Sequence, residues 1–237
     1  LRGRPEADRT ALLHQFRRPD LSSLVGKVRK AFLQNPWGYT MKIFLLTILL
    51  LSFSSLALAD EVGLQRAIFA GGCFWCMESP FEKLDGVDEV ISGFTGGHVP
   101  DPTYEQVTAG NTGHVEAVEI HYDPELINYE QLLHVFWRQI NPTDARGQFV
   151  DRGTHYRSAI FYLDEQQRLQ AEQSRDELAA SGVFDQPLVT EILPAGPFYP
   201  AEEYHQDYYK KNPLRYWYYR NGSGRDGFLD RVWGKER

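Results

Sequence analysis

The stretch LQRAIFAGGCFWCMESPFEKL, residues 64–84, joins an apolar segment to an amphipathic one through two glycines, and it holds both cysteines of the chain. The apolar part predicts a β-strand that ends at Gly71 and Gly72, and the part from Cys73 onward predicts a helix. Backbone N–H groups and the helix dipole stabilise an anion at a helix N-terminus. We therefore expect the Cys73 thiolate to form near neutral pH, with the glycines leaving its sulfur open to a substrate.

Cys76 lies three residues after Cys73 and on the same face of the predicted helix. We interpret Cys73 as a nucleophile and Cys76 as its resolving partner, although a disulfide needs Cβ atoms ~3.8 Å apart and so a slight distortion of the first turn. Three alternatives stay open at this point. A structural disulfide would close almost no loop and stabilise little, a zinc site would need histidines with paired spacing that the chain lacks, and an ordinary C-x-x-C redox pair is the strongest rival.

Outward from this stretch, predicted strands and helices alternate irregularly, roughly as β-α-β-β-α-β-α-β. The helix that starts at Asn128 has one apolar stripe, and a longer helix begins at Asp164 and stops at Gly182. This order predicts an α+β fold in a single two-layer domain with a mixed or antiparallel sheet, rather than a doubly wound parallel sheet. A short helix is predicted to carry His205 and Tyr208 on one face, and the tail after it is aromatic and rich in turn signals.

Glu116 is the one acid in an apolar row. In the predicted strand HVEAVEIHY, alternation puts Glu116 on one face with Val118, Ile120 and Tyr122. If that row faces the core, desolvation raises the pKa of the carboxyl and keeps it protonated, so that it can donate a proton. The alternative is a glutamate paired with a buried arginine such as Arg157.

The N-terminal part differs from the rest of the chain. Residues 1–40 hold eight basic and three acidic residues, and the first methionine is Met41. Residues 41–59 have a lysine, an apolar run shorter than the ~20 residues of a membrane helix, and a small-x-small cleavage site, as in a secretory signal peptide. We expect translation to start at Met41 and 1–40 to be no part of the native protein. A genuine basic extension, a transit peptide and an uncleaved anchor remain alternatives.

The expected mature chain, residues 60–237, is strongly acidic. It has 16 basic and 29 acidic residues, a net charge of −13, whereas the whole chain has −7. Nucleic-acid binding needs a positive face, so we expect no nucleic-acid partner. Export places the two thiols in an oxidising compartment, where they pair unless a reductant maintains them.

Five stretches together resemble the A-class peptide methionine sulfoxide reductases, in the subgroup with a GCFWC motif. They occur in the family's order over roughly 66–215 and are GGCFW at 71–75, DPTYEQV at 101–107, GNTGHVEAVEIHYDP at 110–124, DRGTHYRSAIFY at 151–162 and AEEYHQDYYKKNP at 201–213. The resemblance implies a two-layer, ferredoxin-like α/β sandwich with a coiled C-terminal segment.

The resemblance also implies roles for individual residues. Cys73 is the catalytic nucleophile, and Phe74 and Trp75 form the apolar wall for the S-methyl group of the substrate. Glu116, with Tyr104 and Tyr156, binds and protonates the sulfoxide oxygen. The surrounding polar residues, which complete substrate binding, are Asp151, His205 and Tyr208.

The implied activity is the thiol-dependent reduction of methionine S-sulfoxide, free or in proteins. Oxygen transfer leaves Cys73 as a sulfenic acid, Cys76 condenses with it to a disulfide, and a thioredoxin-like dithiol reduces the disulfide. No metal or organic cofactor is required. We expect a monomeric periplasmic repair enzyme without a stable membrane anchor.

The chain departs from many relatives in having Cys at position 76 and no cysteine near its C-terminus, so resolution must be local or external. A general thiol–disulfide oxidoreductase is the rival function, but it has no use for Glu116 or the tyrosines. A non-catalytic module with a structural disulfide is the third reading.

Overall fold

The computed structural model describes residues 63–234, together with residues 26, 27, 29 and 30, which are helical and exposed. The chain divides into two units, Leu1–Asp60 and Glu61–Arg237, and the second is described below. The predicted signal peptide over 41–59, and all but those four positions of the predicted extension over 1–40, lie outside the described residues.

The second unit contains short strands and helices in close alternation. The strands are β1 Gln65–Gly71, β2 Val87–Thr95, β3 Val115–Tyr122, β4 Gly147–Gln148, β5 Asp151–Arg152, β6 Ser158–Tyr162, β7 Glu191–Pro194 and β8 Tyr199–Pro200. The α-helices are α1 Phe74–Phe81, α2 Tyr104–Thr108, α3 Tyr129–Trp137, α4 Glu165–Ala180, α5 Tyr208–Lys211, α6 Pro213–Gly222 and α7 Arg225–Trp233. Two short 3₁₀ turns cover Thr154–Tyr156 and Glu203–His205.

Six strands form one sheet in the order β7-β6-β1-β3-β2-β8, and β4 pairs with β5 separately. β1 is central and runs antiparallel to both β3 and β6, while β2 is antiparallel to β3 and β8. Only β7, which pairs with β6, adds a parallel neighbour in the described sheet. The inner order β6-β1-β3-β2, with helices after β1 and β3, is the ferredoxin-like arrangement. The predicted α+β sandwich with a mixed, mainly antiparallel sheet is confirmed.

Helices α1, α3 and α4 cover one face of the sheet and bury the main core. α3 begins at Asn128, whose side chain accepts from the Gln131 N–H at 2.9 Å while the Gln131 side chain bonds back to the Asn128 N–H. α4 begins at Asp164, which accepts from the Gln167 N–H. Both predicted helix starts are confirmed. The predicted apolar stripe of α3 is buried at Leu132, Leu133, Phe136 and Trp137, and Ile140 follows it into the core.

The two faces of β3 go to two different apolar clusters. Val118, Ile120 and Tyr122 lie in the main core beneath the helices, and Glu116 alternates with them and is 1% exposed. Val115 and Ala117 belong to the smaller cluster on the opposite face, with Ile68, Ala70, Ala159 and Phe161. The predicted alternation is therefore confirmed, and it places a carboxyl group on the core side of the central sheet.

The expected coiled C-terminal segment is wrong, because most of residues 208–233 are helical. Pro213 occupies the first turn of α6, where its fixed φ favours a helix and its missing N–H costs nothing. The turn signals in NGSG mark only the short connection between α6 and α7, at which Gly224 has a φ of +82°. These turn residues therefore separate two helices and do not indicate a longer irregular segment.

His205 and Tyr208 do not share one helix, contrary to the prediction. His205 ends the 3₁₀ turn Glu203–His205, and Tyr208 begins α5. Asp207 between them has a left-handed backbone, with a φ of +54°. The chain turns there, so the two side chains reach the same site from different elements.

Among the residues that the structure describes, no helix has both the length and the apolar character that crossing a membrane requires.

Candidate active site

The cysteines follow a tight turn at the end of β1. Gly72 has a φ of +84°, which residues other than glycine rarely adopt. A Cβ at this position would lie 2.6 Å from the Cβ of Gln148 and 3.0 Å from Nη2 of Arg225. The glycine is therefore required both by the backbone and by the side chains that pack on the turn.

Both thiols are free and buried: Cys73 is 5% exposed and Cys76 is 0% exposed. Burial raises the pKa of Cys73 well above its usual value, and the neighbouring Cys76, Glu116 and Asp151 raise it further. The pKa of Cys76 is lowered to about 7, chiefly by a hydrogen bond from the Cys73 thiol and then by the positive charges of Arg225 and Arg220. Burial and these neighbours therefore oppose the expected Cys73 thiolate in the free protein, whereas the two cations favour a thiolate on Cys76; the Cys73 thiolate stays a prediction.

The helix N-terminus does not serve the Cys73 sulfur as expected. Cys73 is the residue before α1, and its side chain makes no capping hydrogen bond. The first helical N–H, that of Phe74, instead donates to Oε2 of Glu116 at 3.0 Å. Since the dipole acts mainly through these terminal N–H groups, desolvation of the sulfur prevails over it.

That hydrogen bond also fixes Glu116 next to the nucleophile, because Phe74 directly follows Cys73. Burial raises the pKa of Glu116 to about 8, and the hydrogen bonds from Phe74 and Tyr156 offset only part of the effect. The carboxyl is thus protonated at neutral pH, as predicted. Arg157, the alternative partner, instead pairs with Glu191 at 2.8 Å.

An aromatic cluster surrounds the buried sulfur. Trp75 stacks on Tyr208 with ring centroids 3.6 Å apart, and its indole N–H donates to Nδ1 of His205 at 3.2 Å. Phe74 packs on His205 and Tyr104, with centroids 4.9 Å and 6.4 Å away. Burial lowers the pKa of His205, and because Nδ1 accepts the Trp75 hydrogen bond, the neutral ring carries its proton on Nε2.

Two tyrosine hydroxyls approach the buried acid. Burial raises the pKa of Tyr104 to about 12, and it raises the pKa of Tyr156 still further, with the nearby Glu116 contributing in both cases. Both therefore keep their protons and can donate hydrogen bonds to an oxygen in the site. Trp75, Tyr104 and Tyr156 are only partly buried, so they form a rim around the nearly inaccessible Cys73 and Glu116.

Asp151 completes the predicted set from the far side. Its Oδ1 accepts from the Tyr219 hydroxyl at 2.6 Å, and its buried Oδ2 has no hydrogen-bond partner among the described residues. Burial raises the pKa of Asp151, and its charge acts on both thiols. The structure thus brings together all ten residues predicted for the site, which are Cys73, Phe74, Trp75, Cys76, Tyr104, Glu116, Asp151, Tyr156, His205 and Tyr208.

Sequence reasoning missed the residues of α6 and α7 that contact the site. Tyr219 holds Asp151 and packs edge-on against Trp75, Arg220 donates to the Cys76 carbonyl at 2.9 Å, and Arg225 donates to the Gly71 carbonyl at 3.0 Å. A helical interpretation of the tail would have shown the signal, since positions 216, 219, 220 and 223 then share one face. Within residues 63–234, no group of three or more ligand-type side chains is arranged to hold a metal ion.

A family model described as "Peptide methionine sulfoxide reductase" matches residues 65–237. The chain is 58% identical over 172 residues to the peptide methionine sulfoxide reductase MsrA of Bacillus licheniformis, which covers 73% of this chain and 95% of that relative. It is 57% identical over 170 residues to MsrA of Bacillus subtilis, which covers 72% of this chain and 96% of that relative.

Two solved structures are similar to the chain over 65% of its length. One is Mxr1 from Saccharomyces cerevisiae in its reduced form, with a TM-score of 0.61, 30% identity and 88% of that chain covered. The other is methionine sulfoxide reductase A of Corynebacterium diphtheriae, with a TM-score of 0.58, 36% identity and 78% of that chain covered.

Proposed function

The chain belongs to the peptide methionine sulfoxide reductase family and reduces methionine sulfoxide to methionine with thiols, and we propose that Cys73, Cys76 and Glu116 carry out this reaction. One observation carries the assignment of roles. The amide that follows Cys73 holds the Glu116 carboxyl at 3.0 Å, and burial raises the pKa of that carboxyl to about 8. A sulfur nucleophile and a neutral acid therefore stand side by side in a dry site.

In the first step the Cys73 sulfur attacks the sulfoxide sulfur, which becomes electrophilic when its oxygen is protonated or hydrogen-bonded. Glu116 supplies the proton, and the hydroxyls of Tyr104 and Tyr156 donate hydrogen bonds to the same oxygen. Cys73 starts with its own proton, and the adjacent Cys76 thiolate is placed to accept it as the attack proceeds. Oxygen transfers to Cys73, which becomes a sulfenic acid, and methionine leaves.

In the second step Cys76 attacks the Cys73 sulfenic acid. Cys76 passes the proton that it took from Cys73 to the ionised Glu116, which returns it to the departing oxygen. A sulfur–sulfur bond forms, the sulfur–oxygen bond breaks, and the oxygen leaves as water. The protein has then lost two electrons and the sulfoxide has gained two. An external dithiol restores the thiols by exchange through a mixed disulfide, and we propose that a thioredoxin-like protein supplies it.

The substrate-binding roles follow from the cluster around the sulfur. Phe74 and Trp75 give an apolar wall for the S-methyl group, with Tyr208 stacked behind the indole and His205 fixing its orientation. Asp151, held by the Tyr219 hydroxyl, places a polar group at the edge of this apolar wall. We propose that both free and protein-bound S-sulfoxides are substrates, and that the protein acts as a monomer.

The test is a reaction with one equivalent of methionine sulfoxide without reductant, followed by mass spectrometry. The wild-type protein is expected to release one methionine and to contain a Cys73–Cys76 disulfide. Cys76→Ser is expected to release one methionine, to hold a sulfenic acid on Cys73 and to lose recycling by a dithiol. Steady-state turnover of Cys76→Ser equal to that of the wild type would remove Cys76 from the mechanism.

We further propose that the protein is exported to the periplasm and that residues 41–59 are removed as a signal peptide. The apolar run after Lys42 and the small residues before Asp60 support this. N-terminal sequencing of the protein recovered from the periplasm is expected to start near Asp60, and a start inside residues 1–40 would contradict it.

A further inference from the structure

Arg225 is a fully buried guanidinium packed against the turn that carries the cysteines. It is 0% exposed and is the largest residue by volume among the fully buried ones in the described part of the chain. One Nη donates to the Gly71 carbonyl at 3.0 Å, and the other donates to the Gln139 carbonyl and lies 3.8 Å from Sδ of Met77. Gly71 and Met77 flank the two-cysteine segment on either side, so Arg225 lies directly against it.

Arg225 forms no close ion pair with a carboxylate among the described residues, although its charge lowers the pKa of Asp151. Within residues 63–234, no acidic side chain lies within 4.0 Å of its nitrogens, and its buried Nε has no hydrogen-bond partner. Arg220, on the preceding helix, also reaches the site but pairs with Asp226 at 2.9 Å. A buried, unpaired charge is costly, and its presence calls for an anion nearby.

We propose that Arg225 is the positioning residue that supplies the counter-charge for a thiolate on Cys76, and that it thereby keeps the resolving cysteine ready to attack. This inference rests on the proposed function, since it concerns the recycling half of that reaction. A guanidinium beside a cysteine is an established way to favour the thiolate.

The charged and titratable groups that face Cys76 come from several elements, and Arg225 is the strongest cation among them. The hydrogen bond from Cys73 lowers the pKa of Cys76 most, and the charges of Arg225 and then Arg220 lower it further. Burial and Asp151 raise it. The groups that interact with Cys76 are Cys73, Glu116, Asp151, Tyr216, Tyr219, Arg220 and Arg225.

The same charge affects the disulfide. In the disulfide form Cys76 carries no negative charge, so Arg225 loses that anion and keeps its interaction with Asp151. The dithiol form is therefore favoured over the disulfide form, which makes the disulfide easier for an external dithiol to reduce.

The first experiment isolates Cys76 in a Cys73→Ser background, where it is the sole thiol and the serine hydroxyl can still donate a hydrogen bond. Thiolate absorbance is followed against pH with Arg225 intact, with Arg225→Lys and with Arg225→Gln. We expect an apparent Cys76 pKa below the ordinary ~8.5 with Arg225 present, nearly the same value with Lys, and a rise of about one unit or more with Gln. Arg220→Gln is the matched control, with a smaller rise because Asp226 already balances Arg220.

Several results overturn the proposal. An ordinary Cys76 pKa with Arg225 intact does so without any Arg225 variant, so a failure of Arg225→Gln to fold leaves the test valid. Equal shifts in Arg225→Lys and Arg225→Gln would mean that packing, not charge, matters. This titration uses no sulfoxide, so its failure is distinct from a failure of the proposed function.

The second experiment equilibrates the protein that retains both cysteines with glutathione buffers at pH 8 and measures the fraction of the Cys73–Cys76 disulfide. Arg225→Gln is expected to shift the equilibrium toward the disulfide by about five-fold for a one-unit change of the Cys76 pKa, and Arg225→Lys to leave it near the wild-type value. An unchanged equilibrium in a folded Arg225→Gln protein would reject the counter-charge role.

Discussion

The turn at residues 71–76 and the helices at residues 208–233 surround the same two sulfur atoms but are encoded in opposite ways. The turn holds its reacting groups within six consecutive residues, and its geometry follows from a glycine at a φ of +84° between a strand and a helix. The C-terminal helices act through single contacts across the chain, such as Arg220 to the Cys76 carbonyl and Tyr219 to Asp151. The reacting atoms are thus specified locally, whereas distant residues contribute to the pKa values of their side chains.

The largest expected effect is at the joint between these two regions. Gly72→Ala introduces a Cβ 3.0 Å from Nη2 of Arg225, in the C-terminal helices, and 2.6 Å from Cβ of Gln148, and it forces alanine to a positive φ. We expect the free energy of unfolding to fall by about 3–5 kcal/mol from strain and overpacking together, measured by denaturant titration.

Gly182→Ala is the matched control for that substitution. Gly182 also has a positive φ, of +72°, but no described atom lies within 4 Å of the position that an added Cβ would take, so only the backbone strain of about 1 kcal/mol is expected. Equal losses of unfolding free energy in both variants would show that a Cβ at position 72 makes no steric clash with the side chains packed on the turn.

The second effect concerns the buried acid opposite the turn. Glu116→Gln keeps the shape of the side chain and removes its transferable proton, so we expect single-turnover sulfoxide reduction to fall about a hundred-fold. Wild-type rates in this variant would exclude Glu116 as the proton donor.

The wild type and Glu116→Gln are also expected to differ in how their free energy of unfolding depends on pH. Because burial raises the folded-state pKa of Glu116 from 4.5 to about 8, the stability from its protonated form is full below pH ~4.5 and is lost as pH rises toward about 8. The free energy of unfolding of the wild type relative to Glu116→Gln should therefore decline over that window, with a slope approaching about 1.4 kcal/mol per pH unit. A difference that is flat with pH would mean that the carboxyl is ionised in the folded protein.

The smallest effect is expected in the C-terminal helices. Tyr219→Phe removes the 2.6 Å hydrogen bond to Oδ1 of Asp151, which is worth about 1 kcal/mol. We expect kcat/KM to fall about five-fold, with an upward shift of the Asp151 pKa visible in the pH profile. Tyr218→Phe, at the exposed neighbouring position, should leave kcat/KM and the Asp151 pKa unchanged. Equal losses of kcat/KM in the two variants would show that the hydrogen bond to Asp151 does not contribute to activity.

Periodicity and caps are sufficient to predict the sheet and the helices that cover it. Asn128 and Asp164 begin helices as expected, because each side chain can satisfy a free N–H of the first turn. Alternation alone puts Glu116 on the core side of β3, and burial is the reason that its pKa rises. These are local properties of strands and helices, so they can be inferred from neighbouring residues.

The ionisation of the cysteines cannot be predicted in the same way. The helix position of Cys73 suggests a thiolate, but the Phe74 N–H donates to Glu116, which is 42 residues away in sequence. The cations that favour Cys76 come from Arg220 and Arg225, in a segment whose turn signals wrongly predict coil. Such long-range placements depend on tertiary packing, which no local pattern contains.

The central position of β1 has a consequence for the order in which the protein is synthesised and folded. β1 pairs with β3 on one side and with β6, at Ser158–Tyr162, on the other, so its second edge cannot close until residue 162 has been made. Until then the two thiols belong to an unfinished chain, without the acid, the cations or the burial that give each its own reactivity. The two thiols therefore acquire their different reactivities late in the folding of this polypeptide.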